Sequence, residues 1–436
     1  MGDKMTKYVQ NIRGVVNTEI SNEFASRLGV IVGNFVGPKK NVVVGRDINV
    51  PSQMIKRSIT TGLMAAGADV IEFGIAPIPV IHYNKDYYNA SAIITISKSH
   101  LRPEDVDIKI FSDHEIPLQS HPKCVTWDEI GNLQYVYEYR DFYEKAILKQ
   151  VDTDNIKSKG FFLVLDYKEE VTKPFIPRIL DKLGCETVLI GSVSGQSAGD
   201  FPEPNPKRMS LVSELTTAIG ADMGILLDND ADRVVFVDHH GNMIREQTVL
   251  GIFAKYILQD NPNGNVVSSI VASQSLEEIV SGTGGQLIKT SVDDVLSEIE
   301  PNNAVFGGDE PGMYVFPEFQ TCFDGIYAVV KMLEIMATEN NTISALAGEI
   351  REYNRTGFTI QCEHEKKDEI IETFMAKFEY KNNINTVDGI RVDLKDSFIL
   401  IRPSRFEPLV RIYIESKSAE KLQELTETVK KIIENV

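Results

Sequence analysis

Short β-branched runs alternate with stretches of helical period along most of the chain. "NVVVGRD" (41–47) is followed by an apolar face at helical spacing near 51–66, then by "ADVIEFG" (68–74) and "SAIITIS" (91–97). Strand and helix in alternation predict layered α/β domains, in which helices cover sheets. A second round runs from "GFFLVLD" (160–166) through a helix near 172–183, "ETVLIG" (186–191), a helix near 208–219 and "MGILLD" (223–228). A third carries a helix near 247–258, "NVVSSIVAS" (265–273), "GQLIKT" (285–290) and a helix near 323–338. The last segment has a different rhythm. "FTIQCEHE", a helix near 366–378, "IRVDL", "FILIRPS" and "LVRIYIES" predict an antiparallel sheet, closed by a helix from about 419. On that helix Leu422, Leu425, Val429, Ile432, Ile433 and Val436 share one face, with Ser418 placed to cap it. The fold class is therefore three similar mixed α/β domains, over 1–143, 144–241 and 242–350, plus a C-terminal α+β domain over 351–436 with an antiparallel sheet and helices.

Length and composition agree with that division. At about 100 to 150 residues per domain, 436 residues make three or four domains. Apolar residues at 42% and charged residues at 25% belong to a soluble globular protein. A formal charge of −18 argues against nucleic acid and anionic membranes as partners. Any anionic ligand must then meet a local basic site. Cys124, Cys185, Cys322 and Cys362 form no CxxC pair and fit reduced thiols better than disulfides or zinc. The first residues lack an apolar h-region, and no apolar run reaches about 18 residues, so the expected compartment is the cytoplasm.

Four stretches could carry chemistry. "DNDADR" (228–233) sets Asp228, Asp230 and Asp232 between two apolar strands. As an EF-hand it fails, because Arg233 stands at the glycine position and His239 at the position of the closing Glu. A strand–loop–strand turn with three oxygen donors remains, suited to Mg²⁺ or simply a solvated acidic turn. "ITISKSHLRPEDVDIKIF" (94–111) places Ser99 and His100 just past a strand, on the sheet edge where open α/β folds bind ligands. Ser99 is there a nucleophile or a loop hydroxyl. "RPSRFEP" (402–408), with Arg402, Ser404, Arg405 and nearby Arg411, has the forked donors that a phosphate dianion needs, or is surface arginine. "GGDEPGM" (307–313) offers Asp309 and Glu310 to a polyol, or is an ordinary tight turn. No dinucleotide fingerprint or P-loop is present.

In this order, the four stretches resemble the α-D-phosphohexomutase family of phosphoglucomutase, phosphomannomutase and phosphoglucosamine mutase. "NIRGVVNTEIS" (11–21) is similar to the family's G-I-R-G-x-x-N, "VVVGRD" (42–47) to V-x-G-x-D, "DNDADR" to D-G-D-x-D-R, "VDGIRVDL" (387–394) to the run before the last loop, and "RPSRFEP" to R-P-S-G-T-E-P. "SKSHLRPEDVDIK" aligns without a gap to the serine loop.

The resemblance implies four domains around a central cleft and phosphoryl transfer between C1 and C6 of a hexose phosphate through a phosphoserine and a bisphosphate. It implies Ser99 as the phosphorylated residue with His100 beside it, Lys109 and Arg13 in proton transfer, and Mg²⁺ held by Asp228, Asp230, Asp232 and phosphorylated Ser99. Arg233, Asp309, Glu310, Arg402, Ser404, Arg405 and Arg411 would bind substrate, with a hexose 1,6-bisphosphate as activator and a mobile final domain that closes over the site. The partner is a small sugar phosphate, and the protein a monomer or homo-oligomer.

Departures from the family pattern cluster. Asn229 replaces a Gly in the metal loop, Leu101-Arg102 replace Asn-Pro and Val106-Asp107 replace Asn-Gly near the serine. Asp309, Pro311 and Met313 replace Glu, Ser and His, and Arg405-Phe406 replace Gly-Thr. They imply an altered sugar preference. The alternatives are a sugar-phosphate-binding protein without turnover and, behind it, a Mg²⁺-dependent phosphatase on the same fold.

Overall fold

In the computed structural model, which describes residues 8–99, 102, 104–137, 139–167, 171–191, 206–378, 383–405 and 407–433, "SAIITIS" lies within the strand Ala90–Lys98. Residues 92–97 of it are all buried. A strand covered on both faces needs no polar alternation, which is why the run is continuous. His100, Leu101 and Phe406 lie outside the described residues.

The chain divides into two compact units, one running to Ile244 and including Pro311–Leu346, the other comprising Arg245–Glu310 and the residues from Ala347 onward. In the first unit a six-stranded sheet has the order Tyr8–Val15, Asp105–Ser112, Ala90–Lys98, Asn41–Arg46, Asp69–Ile75, Leu133–Tyr135. Its first two pairings are antiparallel and the rest parallel. The helices Asn22–Val36 and Val50–Ala65 cross in close contact. A Cβ on Gly62 would sit 2.1 Å from the carbonyl oxygen of Ser26, and one on Gly29 2.3 Å from that of Ile59, so the crossing requires glycine on both helices.

A second, four-stranded sheet has the order Val234–Asp238, Met223–Leu227, Phe162–Tyr167, Glu186–Gly191. Its antiparallel pair, Met223–Leu227 with Val234–Asp238, flanks the aspartate loop as the sequence predicts. The hairpin Met313–Phe316 with Gln320–Phe323 and the helix Gly325–Glu339 complete the unit.

In the second unit, Asn265–Ser269 pairs in parallel with Leu287–Thr290 and Ala304–Asp309. The C-terminal sheet is five-stranded, with the order Asn354–Gln361, Leu409–Ser416, Ser397–Pro403, Ile390–Leu394, Ile384–Asn385, antiparallel at every pairing. The helices Lys367–Phe378 and Ala419–Ile433 cover one face through Ile370, Phe374, Leu425 and Val429, and Ser418 Oγ accepts from the Lys421 amide as its cap.

The other face packs Phe398 and Leu400 against Ile270 and Val271. Arg391, 0% exposed, donates to the carbonyls of Ile270 and Ala272, both at 2.6 Å. Buried Glu415 accepts from Ser273 Oγ at 3.0 Å and from the Gln274 amide at 2.8 Å. The final domain is therefore not an independent body. Moving it away from residues 270–274 would take two acceptors from buried Arg391, leaving it Asp393, and the Ser273 and Gln274 donors from buried Glu415, so within this unit the two sheets form one piece. Among the described residues no helix is long and apolar enough to cross a membrane.

Candidate active site

Register on the first sheet gathers the basic side chains. Arg13 lies opposite Asp107, Ser97 opposite Asp107 and Thr95 opposite Lys109, so Arg13, Asp107, Lys109 and Ser97 share a face. Arg13 forks onto Asp107, Nε to Oδ1 and Nη2 to Oδ2 at 2.8 Å, with both side chains buried. That explains one departure from the family pattern. Where the family has Gly, Asp107 fixes the guanidinium of Arg13. Ser99, buried, follows directly on this strand and is pinned by its amide to the Asp105 carbonyl at 3.0 Å.

The aspartate loop meets these residues. Ser97 Oγ donates to Asp230 Oδ2 at 2.7 Å, and Lys109 Nζ to Asp232 Oδ2 at 2.6 Å. Asp47, also buried, accepts from the Lys98 amide at 2.8 Å and adds its charge to the cluster. Burial pushes Asp230 up to about 8, reinforced by Asp232 and Asp47 and opposed by Lys109. Burial also works against ionised Asp232, but Lys109 and Arg233 outweigh it and hold its carboxyl below the usual range. Lys109 is raised against its own desolvation by Asp232 and Asp230.

Among the described residues no three His, Cys, Asp or Glu side chains gather as a metal cluster, while Asp232 is hydrogen-bonded to Asp228 as well as to Lys109 and Asp230 accepts from Ser97. The ammonium of Lys109 balances the loop's charge here. The donor set still fits a hard dication. It consists of carboxylate oxygens alone, and an aspartate driven to about 8 by burial and like charge is a group whose strain a divalent ion would relieve.

In the second unit Asp309 ends the strand Ala304–Asp309, buried, and accepts from Ser269 Oγ. Glu310 accepts from Arg355 Nη1 at 2.7 Å and Gln247 Nε2 at 2.5 Å; burial pushes it up to about 7 against the pull of Arg355. The basic loop turns between Ser397–Pro403 and Leu409–Ser416, closed by the Ser404 amide donating to the Leu409 carbonyl at 2.9 Å.

Each arginine expected to clamp a phosphate is ion-paired within the unit. Arg402 pairs with Asp388, Arg411 with Glu407, and Arg405 with Asp293 at 2.9 Å. Ser404 Oγ accepts from the Glu407 amide at 3.3 Å. Sequence reasoning missed Lys367, whose buried Nζ donates to the carbonyls of Ser404 and Glu407, both at 2.6 Å, and so shapes the loop. It also missed Arg355 and Asp388. Asp388 was visible inside "VDGIRVDL", whereas a lysine opening an amphipathic helix looks like a solvated residue.

Profiles of the phosphoglucomutase/phosphomannomutase domains match the chain in order: alpha/beta/alpha domain I over residues 4–124, domain II over 141–241, domain III over 245–353 and the C-terminal domain over 360–432. A Thermococcus kodakarensis protein described as phosphoglucomutase/phosphomannomutase is 32% identical over 446 residues, spanning 97% of this chain and 97% of its own length. The crystal structure of a phosphoglucomutase/phosphomannomutase family protein from Burkholderia thailandensis matches with a TM-score of 0.85 at 23% identity, covering 100% of this chain and 98% of its own. N-acetylphosphoglucosamine mutase of Aspergillus fumigatus, solved with GlcNAc-6P and magnesium, shares the fold with a TM-score of 0.55 at 12% identity, over 91% of this chain and 77% of its own. Four domain profiles in sequence order and a relative matched along its full length place the sequence by descent as well as by fold: the chain belongs to the phosphoglucomutase/phosphomannomutase family of phosphohexomutase enzymes.

Proposed function

We propose that the chain is a Mg²⁺-dependent phosphohexomutase that moves a phosphoryl group between C1 and C6 of a hexose phosphate through phosphorylated Ser99. The observation that carries this reading is the 2.7 Å hydrogen bond from Ser97 Oγ to Asp230 Oδ2, which joins the serine segment to the aspartate loop. Asp228, Asp230 and Asp232, with phosphorylated Ser99, would hold the ion, which supplies Lewis-acid stabilisation of the phosphoryl oxygens when bound.

The other steps belong to the chain's own side chains. As the bond from Ser99 Oγ to phosphorus breaks and a bond from the hexose hydroxyl oxygen forms, the serine oxygen gains a proton and the hydroxyl loses one. Lys109, raised by Asp232 and Asp230, is protonated in the resting protein; it gives its proton to the serine oxygen and is restored by the proton that the hexose hydroxyl releases, so that one proton passes in net from hydroxyl to serine. Arg13, oriented by Asp107, and Arg233 offset charge on the transferring group. The bisphosphate then presents its other phosphoryl group, and the reverse transfer restores phosphoserine. Asp309 and Glu310 accept from sugar hydroxyls, and Arg402, Ser404, Arg405 and Arg411 take the phosphate that is not reacting. The Aspergillus fumigatus relative, solved with a sugar phosphate and magnesium, supports the ligand class.

Protein primed with a hexose 1,6-bisphosphate should carry phosphate by intact mass and convert a hexose 1-phosphate to the 6-phosphate, and Ser99→Ala should do neither. Sugar-phosphate binding by calorimetry without exchange of label between positions 1 and 6 would reduce the protein to a binder. Stoichiometric release of inorganic phosphate would make it a phosphatase.

A further inference from the structure

The aspartate loop is gripped from behind by the first turns of two helices. The Ile78 amide, opening the helix Ile78–Tyr83, donates to the Asp230 carbonyl at 3.0 Å, and the Gly325 amide, opening the helix Gly325–Glu339, donates to the Ala231 carbonyl at 2.9 Å. These are consecutive carbonyls of one loop. Ala231 itself sits at φ 56°, a left-handed conformation that a residue with a Cβ resists, so its backbone is held there by its surroundings. Gly325 favours the approach: a Cβ on it would lie 3.0 Å from the carbonyl oxygens of both Ala231 and Arg233, so the loop would have to shift to admit one.

A buried polar chain ties the two helices together. Asp324, 1% exposed, caps the second helix by accepting from the Tyr327 amide at 2.8 Å, and also accepts from Tyr143 Oη at 2.7 Å and Gln320 Nε2 at 2.7 Å. Gln320 reaches the first helix, donating to the Pro79 carbonyl at 3.2 Å while its Oε1 lies 3.0 Å from His82 Nδ1. With the amide oxygen as acceptor, the ring proton must be on Nδ1. Every group in the chain is buried, so its geometry is fixed by these bonds and not by solvent.

We propose that Asp324, Gln320 and Tyr143 are positioning residues for the metal loop: they fix the spacing of two helix starts and thereby the backbone from which Asp230 and Asp232 project. None of the three touches a reacting atom. The inference rests on the reading of the aspartate loop as a magnesium site and extends it to residues that the sequence motifs do not contain.

The test is calorimetric titration of Mg²⁺ into the full chain, using wild type, Tyr143→Phe and Gly325→Ala. Outer-shell changes of this kind cost about 10- to 100-fold in metal affinity, so both variants should bind Mg²⁺ at least about tenfold more weakly. Saturating Mg²⁺ should restore their kcat, although the donor lost to buried Asp324 should also lower the thermal midpoint of Tyr143→Phe in EDTA. Variants that bind Mg²⁺ within about twofold of a wild type that does bind would overturn the proposal, as would a lowered midpoint in EDTA with unchanged affinity, which assigns the network to stability alone. Failure of wild type itself to bind Mg²⁺ would overturn the metal reading instead.

Discussion

Lys109→Met removes one positive charge from the aspartate loop at nearly constant side-chain length, and its consequences separate stability, metal affinity and turnover. The ammonium lies 2.6 Å from Asp232 Oδ2, with side-chain exposures of 19% and 5%. At an effective dielectric of about 20, a contact of that length is worth about 6 kcal/mol in Coulomb energy, much of it offset by desolvation. Measured losses on removing one partner of a buried pair are about 3 to 5 kcal/mol, because the other charge stays buried and unpaired. The metal-free variant should therefore lose about 3 kcal/mol of the stability of the first unit.

The sign reverses for metal. Without the ammonium, the loop presents Mg²⁺ with one more uncompensated negative charge, so affinity should rise by about tenfold or more, equivalent to about 1.4 kcal/mol, while phosphoryl transfer falls for want of the proton donor. Circular dichroism melts in EDTA and in excess Mg²⁺ read the first effect, calorimetry the second and coupled assay the third. A variant as stable as wild type in EDTA, or one that binds Mg²⁺ more weakly, would refute the reasoning that Lys109 balances the loop.

Three further outcomes follow from the same geometry. Mg²⁺ must displace the proton on Asp230, whose carboxyl is pushed up to about 8, so affinity should weaken by up to about tenfold per pH unit below that value; calorimetry in buffers of different ionisation enthalpy would count the proton released. The same shift costs metal-free stability: the folded state holds this proton between the ordinary aspartate range and about 8 while the unfolded chain does not, so Asp230's contribution falls as pH rises through that window, and EDTA melts across it should show the decline. Arg391→Met leaves the Ile270 and Ala272 carbonyls without a donor and should cost the second unit about 3 kcal/mol, seen as an earlier transition in urea.

Much of the architecture was legible because β-branched runs and helical faces alternate cleanly, and the strand Glu186–Gly191 falls where its apolar run does. The helix Asn22–Val36 escaped notice although Ser21 caps it, its Oγ accepting from the Phe24 amide at 3.1 Å. Its apolar residues wrap too much of the cylinder for one face to stand out, since it is buried against both a sheet and a second helix. The site divides in the same way. Asp228, Asp230, Asp232 and Ser99 stand in short local motifs, whereas Asp107, Lys367 and Asp324 work through partners 94, 37 and 181 positions away. Spacing along a chain carries no signal for contacts of that range; only the register of the folded sheets brings them together.

The cations expected to meet phosphate are already paired, and in a chain of net charge −18 that arrangement has a physical reason. An unpaired arginine in a partly buried loop would bear a desolvation cost with nothing to offset it, so Arg402 and Arg411 rest on Asp388 and Glu407, as Arg13 rests on Asp107, while exposed Arg405 meets Asp293 at the surface. A phosphate bound here as proposed would exchange with a carboxylate rather than fill an open electrostatic well. A phosphate dianion can do so, because its extra charge and three acceptor oxygens outbid a single carboxylate at a guanidinium fork. A carboxylate metabolite offers no more than the side chain it would displace. On the proposed reading, pre-paired arginines would select for phosphate by the difference between two anions, so that replacing Asp388 with Asn should tighten binding of a sugar phosphate while eroding its preference over a sugar acid, a result that competition calorimetry can read directly and that unchanged preference would contradict.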